Sequence, residues 1–378
     1  MFFIKNILVF FGGKSPEREI SVITGLLTFN CIDKELYNPI PVYVDGQSAF
    51  YTGKDVGNIA FFRSPNYNKL NRIYFLPGSP VVCFYSKKKL QSYTVFCGIN
   101  CMHGRGGEDG TLIGLLRLCN IPFVGSDLFA SSLAIDKEFT KKVLNGIEIN
   151  TVDYFCVKRK HFYEKSKVII DYLSNRFAFP LIVKPARLGS SIGIKKVDKK
   201  EELFSALTQA FNYDDKVVCE KFLQGARDLN CAVYDGVGNT LTVSEVEEAM
   251  HSSGFLSFDD KYGSNDKAVG NNRKIANDLA ISLIDTIKES SKKIYRKLEF
   301  SSIVSFDYLL HDGKIYLNEI NSIPGSMAYY LFCSKFSEFK QILTELIEVA
   351  IDRKKREDNY IDFYSSNVLF GDFSGIKK

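Results

Sequence analysis

Short apolar runs alternate with longer amphipathic stretches along most of this chain. The short runs have the length of buried strands, whereas the longer stretches repeat apolar residues at helical spacing. The clearest helical pattern runs from Ile275 to Lys297, where Ile281, Ile284 and Ile287 lie over a polar face. Such alternation is typical of α/β proteins. The pattern predicts strands over 6–11, 81–85, 95–102, 181–184, 216–220, 229–234, 241–246, 303–309 and 315–320, and helices over 17–30, 111–119, 131–144, 200–211, 275–297 and 337–354.

Two stretches lack a clear period. Residues 45–74 mix polar, aromatic, glycine and proline residues, and we interpret them as a peripheral excursion from the first domain. Residues 255–272 combine glycine with asparagine and aspartate. A connection of this length is either a functional loop or disordered.

Composition narrows the class of protein. The 378 residues are 45% hydrophobic and 25% charged, enough for two or three globular domains. The net charge of +5 comes from scattered basic residues, so no nucleic-acid partner is expected. No apolar run is long enough to cross a membrane, and residues 1–13 are predicted to form a buried strand rather than a signal peptide. Nine cysteines without a Cys-x-x-Cys pair favour a reducing cytoplasm.

Two glycine-rich segments resemble nucleotide-binding motifs but fail the full patterns. Residues 12–15 (GGKS) follow a predicted strand, yet a P-loop needs glycine where Leu8 stands. Residues 104–107 (GRGG) lack the third fingerprint glycine, since Asp109 occupies that position. A nicotinamide cofactor is therefore not expected.

Residues 179–193 (FPLIVKPARLGSSIG) carry the most informative chemistry. A predicted strand ends near Lys184, and a loop containing Ser190 and Ser191 follows. A point cation beside exposed backbone N–H groups and hydroxyls suits a polyphosphate. Taken alone, the segment is about equally compatible with a surface turn that carries an exposed lysine.

A second strand end and a hairpin favour the nucleotide interpretation. The apolar strand that ends at Glu220 is followed by Leu223, which could cover an adenine ring. Glu319 and Asn321 lie two apart in a strand and therefore share a face. With Asp307 they form the oxygen set that magnesium prefers when it bridges nucleotide phosphates. An exposed acidic hairpin is disfavoured because the flanking strand residues are apolar.

Asp307 joins that face only under one condition. Paired residues of an antiparallel hairpin keep a constant sum of residue numbers. A two-residue turn at 312–313 gives a sum of 625, whereas pairing Asp307 with Glu319 requires 626. The magnesium hypothesis therefore requires an odd-length turn or a bulge, which we expect between residues 310 and 315.

Seven ordered motifs resemble the D-alanine–D-alanine ligase family of the ATP-grasp superfamily. They are SPEREIS at 15–21, HGRGGEDGT at 103–111, DK at 136–137, the Lys184 loop, EK at 220–221, DDKY at 259–262 and EINSIPG at 319–325. The resemblance covers about residues 6–351. It implies an ATP-dependent ligase that joins two D-alanines through an acyl phosphate for peptidoglycan synthesis.

The resemblance also implies the architecture and the ligands. We expect a mixed α/β (α+β) fold in three domains, with ATP-grasp architecture and a Rossmann-like N-terminal domain. The expected boundaries are 1–125, 126–222 and 223–355, followed by a tail at 356–378. The implied ligands are ATP, two Mg²⁺ ions (Mn²⁺ being an alternative) and D-amino acids. A cytoplasmic location and a homodimer are further expectations, with no membrane partner.

Residue roles follow from the resemblance alone. Glu17 and His103 would bind the first amino acid. Asp307, Glu319 and Asn321 would hold magnesium. The acceptor amino acid would meet Tyr330 and Leu331, and the reaction itself would depend on Glu17, Ser190, Lys261 and the N–H of Gly325. The nucleotide would be bound by Lys137, Lys184, Ser190, Ser191, Glu220, Lys221, Leu223, Asp228 and Lys261.

Three positions depart from the family pattern. Ser305 stands where the family has an arginine that stabilises the tetrahedral intermediate, and Tyr330 stands where it has a serine that binds the acceptor carboxylate. Asp228 is one residue displaced from the glutamate that binds ribose. Two alternatives therefore stay open: a ligase with a changed acceptor (D-lactate, D-serine or another amino acid), and a catalytically impaired paralogue that binds ATP.

Overall fold

The first sheet is built mainly around one fully buried strand. The computed structural model describes residues 5–249 and 273–366. Strand β1 is apolar on both faces and is buried along its whole length between two parallel neighbours, β2 and β6. The strands of this sheet are β1 (Asn6–Gly12), β2 (Asn38–Val44), β3 (Phe50–Thr52), β4 (Asn71–Phe75), β5 (Val81–Ser86), β6 (Lys89–Asn100) and β7 (Phe123–Val124), joined in that order. Helices α1 (Arg18–Cys31) and α2 (Thr111–Leu118) accompany them.

A four-stranded antiparallel sheet follows. Its order is β10 (Lys195–Val197), β9 (Leu181–Pro185), β11 (Lys216–Lys221) and β8 (Tyr154–Lys158). Two helices, α5 (Arg159–Arg176) and α6 (Leu203–Ala210), contribute apolar residues to its core. Two further helices, α3 (Leu128–Ile135) and α4 (Lys137–Gly146), connect the first sheet to this one.

The third sheet carries the hairpin singled out by its acidic residues. Its order is β15 (Arg273–Ile275), β14 (Glu247–Ala249), β12 (Arg227–Asp235), β16 (Val304–His311) and β17 (Lys314–Asn321), with β13 (Leu241–Val243) also paired to β12. Helix α7 (Ile281–Lys297) packs on this sheet through Ile287 and Ile294. A helical turn at Tyr329–Phe332 leads to the last helix, α8 (Phe336–Glu357).

The last helix, α8, packs against the first strand and the first helix. Leu343 and Ile347 of α8 belong to the same apolar core as Phe11 of β1 and Val22 of α1. The same core contains Ala232 and Tyr234 of β12, so it packs the first and third sheets against the last helix. Among the described residues, no helix is both long and apolar enough to span a membrane.

The structure confirms the mixed α/β class and most predicted elements, and it corrects several bounds. The predicted helix over 131–144 is interrupted at Asp136, whose carboxylate accepts two backbone N–H bonds as the cap of α4. The helix predicted from Ile275 begins at Ile281, and 273–275 form a strand instead. Residues 45–74 are less peripheral than expected, because they contain β3 and most of β4, and both strands are paired in the first sheet. The predicted loop at 255–272, with Lys261, lies outside the described residues.

Candidate active site

A cleft of about 910 Å³ lies where the three sheets approach one another. Its walls come from the start of α1, the loop after β9, the end of β11 and one face of the third sheet. Most residues that the sequence singled out line this cleft: Glu17, His103, Lys137, Lys184, Ser190, Ser191, Glu220, Lys221, Leu223, Asp228, Asp307, Glu319, Asn321, Gly325 and Tyr330. The exceptions are Lys261, which is not described, and Leu331, which packs in the core below.

Two buried lysines share one carboxylate at the floor of the cleft. Lys184 Nζ lies 2.8 Å from one oxygen of Glu220, and Lys141 Nζ lies 3.0 Å from the other. Burial alone would raise the pKa of Glu220, but the two cations outweigh burial and lower it to about 2. The Glu220 side chain therefore positions Lys184. Sequence analysis predicted neither this role of the Glu220 carboxylate nor the ion pair of Glu220 with Lys141.

Lys137 bridges the second and third sheets. Its ammonium donates to the backbone oxygen of Leu188 at 2.7 Å and lies 2.7 Å from Glu319 Oε1. Burial alone would lower the pKa of Lys137, but the attraction and hydrogen bond of Glu319 outweigh it and raise the pKa. Lys184 makes a parallel contact, donating to Asn318 Oδ1 at 3.1 Å. The basic residues thus meet the hairpin across the cleft.

The hairpin meets the register condition by a route that the sequence did not predict. The turn is a plain two-residue turn, with His311 opposite Lys314, and its Asp-Gly pair adopts left-handed φ angles of 48° and 71°. The extra residue is Asn318, because Tyr308 pairs with Leu317 whereas Asp307 pairs with Glu319. The expected bulge between 310 and 315 was therefore misplaced, although its consequence for Asp307 is confirmed.

The pocket face of the third sheet follows from strand alternation. Asp307, Asn230 of β12, Glu247 of β14 and Glu319 lie in one row across four strands. Asn230 Nδ2 makes a short hydrogen bond to one Asp307 oxygen, and Asn321 Nδ2 donates to the other at 3.1 Å. Side chains in one row of a sheet are neighbours, so these oxygens and amides converge.

This row and its neighbour contain the three residues implied for magnesium: Asp307, Glu319 and Asn321. Two carboxylates lie beside two amides, and the buried Oδ1 of Asn230 has no hydrogen-bond partner among the described residues. Within 5–249 and 273–366, no three histidine, cysteine or acidic side chains are grouped as a metal site. The donor set is therefore one of mixed carboxylate and amide oxygens, the kind that suits a hard cation.

Glu17 connects the first sheet's helix to the loop after β9. Its carboxylate accepts a 2.6 Å hydrogen bond from Ser190 Oγ and makes no capping bond with α1. A Cβ at Gly189 would lie 2.9 Å from Glu17 Oε1, and one at Gly104 would lie 2.8 Å from Oε2. Both loops thus approach the carboxylate as closely as glycine permits. Burial raises the pKa of Glu17 despite the Ser190 bond.

His103 belongs to a buried chain of hydrogen bonds that ends at the Gly325 loop. His103 Nε2 lies 2.9 Å from Thr24 Oγ1, which accepts from the N–H of Ser326 at 3.0 Å. Burial lowers the pKa of His103 to about 4, so its ring is neutral at pH 7. Thr24 was not predicted, and no local sequence signal marks it.

The loop after Gly325 is strained and firmly packed. Residues Ser326, Met327 and Ala328 have φ values of 53°, 53° and 47°, a left-handed turn that costs L-residues about 1–3 kcal/mol each. Met327 and Ala328 are almost completely buried. Packing therefore holds the backbone here in a conformation that it would not adopt in isolation.

A second acid, partly buried, lies near Glu17. Glu108 Oε2 accepts from the N–H of Gly104 at 2.7 Å. Burial, reinforced by the charge of Glu17, raises the pKa of Glu108 to about 8. This end of the cleft therefore holds a carboxyl group that is largely protonated at pH 7.

The cleft wall around Ser305 and Tyr330 has different cations from those that the sequence resemblance implies. Ser305 is buried on the same face as Asp307 and supplies no charge. Arg273 lies over the ring of Tyr330, with 4.7 Å between the guanidinium carbon and the ring centroid. Arg187, the other arginine near these motifs, forms a two-pronged hydrogen bond with Asp214. Burial raises the pKa of Tyr330 to about 12, so its hydroxyl stays protonated at pH 7.

Comparison with known proteins assigns the family. One family model, "D-ala D-ala ligase N-terminus", matches residues 6–126, and another, "D-ala D-ala ligase C-terminus", matches 143–348. A D-alanine–D-alanine ligase of Thermosipho melanesiensis is 35% identical over 371 residues, which are 96% of this chain and 98% of the relative. The chain belongs to the D-alanine–D-alanine ligase family.

Solved structures of similar proteins share this fold over most of the chain. The D-alanine–D-alanine ligase from Coxiella burnetii is 25% identical with a TM-score of 0.78, covering 94% of this chain and 96% of that one. The VanG D-Ala:D-Ser ligase from Enterococcus faecalis is 27% identical with a TM-score of 0.74, covering 92% and 99%. Solved structures with this fold are thus named for two different acceptors, D-alanine and D-serine.

Proposed function

We propose that this chain joins two D-alanine molecules at the expense of ATP, releasing ADP and phosphate and supplying a dipeptide for peptidoglycan in the cytoplasm. One observation carries the proposal. Two lysines meet the oxygen-rich hairpin directly: Lys137, at the start of α4, pairs with Glu319, and Lys184, in β9, donates to Asn318. A magnesium nucleotide needs both partners on opposite sides of its phosphates.

The nucleotide would lie along the floor of the cleft. Lys137 and Lys184 would contact its phosphates, with Ser190 and Ser191 donating from the loop. Leu223 would cover the adenine beside the backbone of Glu220, and Asp228 would reach the ribose. Lys221, exposed at the end of β11, lies at the same end of the cleft.

The metal site would be formed by Asp307, Glu319 and Asn321, with two ions as the proposed number. When bound, the ions would neutralise charge that develops on the transferred phosphoryl group. The ion pair of Lys137 with Glu319 links this site to the phosphate-binding lysines. The same oxygens would accept Mn²⁺.

The first chemical step would form an acyl phosphate. A carboxylate oxygen of the first D-alanine attacks the γ-phosphorus, the bond from that phosphorus to the β-phosphate oxygen breaks, and ADP leaves. Glu17 would hold the ammonium group of this substrate beside His103. Because His103 is neutral, it adds no repulsion toward that ammonium group.

The second step would form the peptide bond. The neutral amine of the second D-alanine attacks the acyl carbon, the bond from that carbon to the phosphate oxygen breaks, and phosphate leaves as the amine nitrogen loses a proton. The N–H of Gly325 would stabilise the tetrahedral oxyanion, on a loop that packing keeps rigid. The second substrate would lie beside Tyr330, which lines the cleft, whereas Leu331 packs in the core beneath it.

The direct test measures ADP and dipeptide together with D-alanine as the only amino acid. One ADP per dipeptide is expected, and Lys137→Gln should reduce the rate at least ~100-fold because a buried phosphate contact is lost. Lys142→Gln is the matched control on the same helix, since Lys142 is exposed and pairs with Glu138. Tight ATP binding without ADP formation from any D-amino acid would instead identify an impaired paralogue.

A changed acceptor is the second candidate function. It is favoured by Ser305 and Tyr330, which alter the acceptor end while the phosphate-binding residues are intact. Offering D-serine and D-lactate together with D-alanine, and weighing the products by mass spectrometry, distinguishes the two. A product made mostly from D-serine or D-lactate would replace D-alanine as the proposed acceptor.

A further inference from the structure

Arg273 projects from the outermost strand of the third sheet onto its pocket face. In the register of β15 with β14, Arg273 lies opposite Ala249, which lies opposite Asp228 of β12. Strand alternation puts this row on the same face as the row that contains Asp307. Arg273 therefore belongs to the cleft wall, and its side chain keeps 32% of its surface exposed.

Tyr330 and Glu247 lie beside the Arg273 guanidinium. The guanidinium carbon lies 4.7 Å from the centroid of the Tyr330 ring, and Nη1 lies 3.6 Å from Glu247 Oε2. An aromatic face and a carboxylate at ion-pair distance attract the cation from different directions. The 3.6 Å separation is longer than the 2.7–2.9 Å of a charge-assisted hydrogen bond. These contacts orient Arg273 on the cleft wall, where part of its side chain is exposed.

We propose that Arg273 binds the carboxylate of the acceptor amino acid. This inference rests on the proposed function, and on Tyr330 standing at the acceptor position. A planar guanidinium presents N–H donors in a fork that matches a carboxylate. Glu247 and the Tyr330 ring keep the fork in one orientation. The arginine and the tyrosine together then perform the carboxylate recognition that a serine performs elsewhere in the family.

Neighbouring cations do not fit this role. Lys274 follows Arg273 in β15, and strand alternation directs it to the other face, where it pairs with Glu248 at 3.1 Å. Arg187 is bonded to Asp214 through two nitrogens. Lys137 and Lys184 are turned toward Glu319 and Glu220. Arg273, in contrast, has its guanidinium over the ring of Tyr330.

The test is a competition between two acceptors for the same acyl phosphate. The full chain is supplied with ATP, magnesium and D-alanine, and with D-alaninamide, which has the amine but lacks the carboxylate. The ratio of dipeptide to dipeptide amide is measured by mass spectrometry. Both products arise from one intermediate, so the ratio does not depend on ATP binding or on activation of the first D-alanine.

Arg273→Gln should lower the ratio of dipeptide to amide by about 10- to 100-fold, the factor expected for losing a hydrogen bond to a charged group. Arg273→Lys should lower it less, because the charge remains without the planar fork. Lys274→Gln, which removes one cation from the same strand, should leave the ratio unchanged.

Three outcomes are distinguishable. A ratio that stays unchanged in Arg273→Gln and Arg273→Lys, with both products still formed, overturns the role of Arg273 while leaving the proposed function intact. A wild-type chain that forms neither product nor ADP overturns the proposed function, and the inference with it. If Arg273→Gln does not fold, a lowered ratio in Arg273→Lys supports the inference and an unchanged ratio overturns it.

Discussion

Asp307 on β16 lies directly opposite Glu319 on β17, although the two-residue turn between these strands would by itself pair Asp307 with Asn318. The bulge at Asn318 changes the alternation, so Leu317 is buried in the core whereas Glu319 faces the cleft. It also supplies one extra polar side chain, whose oxygen accepts from Lys184. One inserted residue thereby connects the hairpin to Lys184 of β9.

Replacing Asn318 with alanine should weaken ATP binding without disturbing the hairpin. The substitution removes the oxygen that accepts from Lys184, while the backbone bulge that pairs Asp307 with Glu319 remains. Loss of one hydrogen bond to a charged group predicts an ATP Kd raised by roughly 10-fold. Calorimetric titration with ATP and magnesium measures it. Asn318→Asp, which keeps an oxygen, is the control, and equal affinities for all three chains would contradict the assigned contact.

Thr24 should be a positioning residue for the Gly325 loop. Thr24→Val removes the oxygen that accepts from Ser326, leaving a poorly solvated N–H group at a strained turn. The free energy of unfolding should fall by about 1–3 kcal/mol, and kcat should fall by about 10-fold. Denaturant unfolding and dipeptide assays measure these two effects.

The control for Thr24 is serine, which keeps the hydroxyl. Thr24→Ser should retain most of the activity because both hydrogen bonds of Oγ1 can still form. If Thr24→Ser lost as much activity as Thr24→Val, the hydroxyl would not be the group that matters, because the serine variant retains it. The hydrogen-bond chain through His103 would then have no role in positioning the loop.

The stability of the chain should depend on pH through Glu220. Its pKa is lowered from 4.5 to about 2 by two lysines that outweigh its burial. Because the pKa is lowered, the stabilisation that ionised Glu220 gives to the folded state is complete above about pH 4.5 and is lost as the pH falls toward 2. Glu220→Gln should therefore unfold about 3 kcal/mol more easily at pH 7, and the difference should shrink between pH 5 and pH 2.

Urea unfolding of both chains over that pH range checks the prediction for Glu220. Glu201→Gln is the control. Glu201 is exposed, so the stability of this variant should match that of wild type at every pH. A difference between Glu220→Gln and wild type that stays constant down to pH 2 would mean that packing, not charge, accounts for the loss.

Ser305→Arg should increase the rate of peptide-bond formation. Position 305 faces the cleft two residues before Asp307, so an arginine there could reach the developing oxyanion. One donor of this kind contributes about 3 kcal/mol, or up to ~100-fold in kcat. Single-turnover dipeptide formation measures the gain, with Ser305→Gln as the uncharged control. An unchanged or slower reaction would show that the chain does not lack a cation at this position.

Much of the fold and of the site could be predicted from local patterns. Lys184 at the end of an apolar strand, and Glu319 two residues before Asn321, are recognisable because strand burial and alternation are properties of adjacent residues. Elements with weaker patterns were missed, including β3 and β4. There, mixed polar and aromatic residues become strands only through pairing with distant neighbours.

The amino-acid sequence by itself determined the order of the chemical groups, the strand ends that carry them and the need for one extra residue in the hairpin. Only the tertiary structure decided that the extra residue is Asn318, that Glu17 accepts from Ser190 across 173 positions of the chain, and that Arg273 lies over Tyr330. The physical reason is that these contacts depend on how separate sheets pack together. Periodicity along the chain carries no information about which distant side chains that packing brings within a few ångströms.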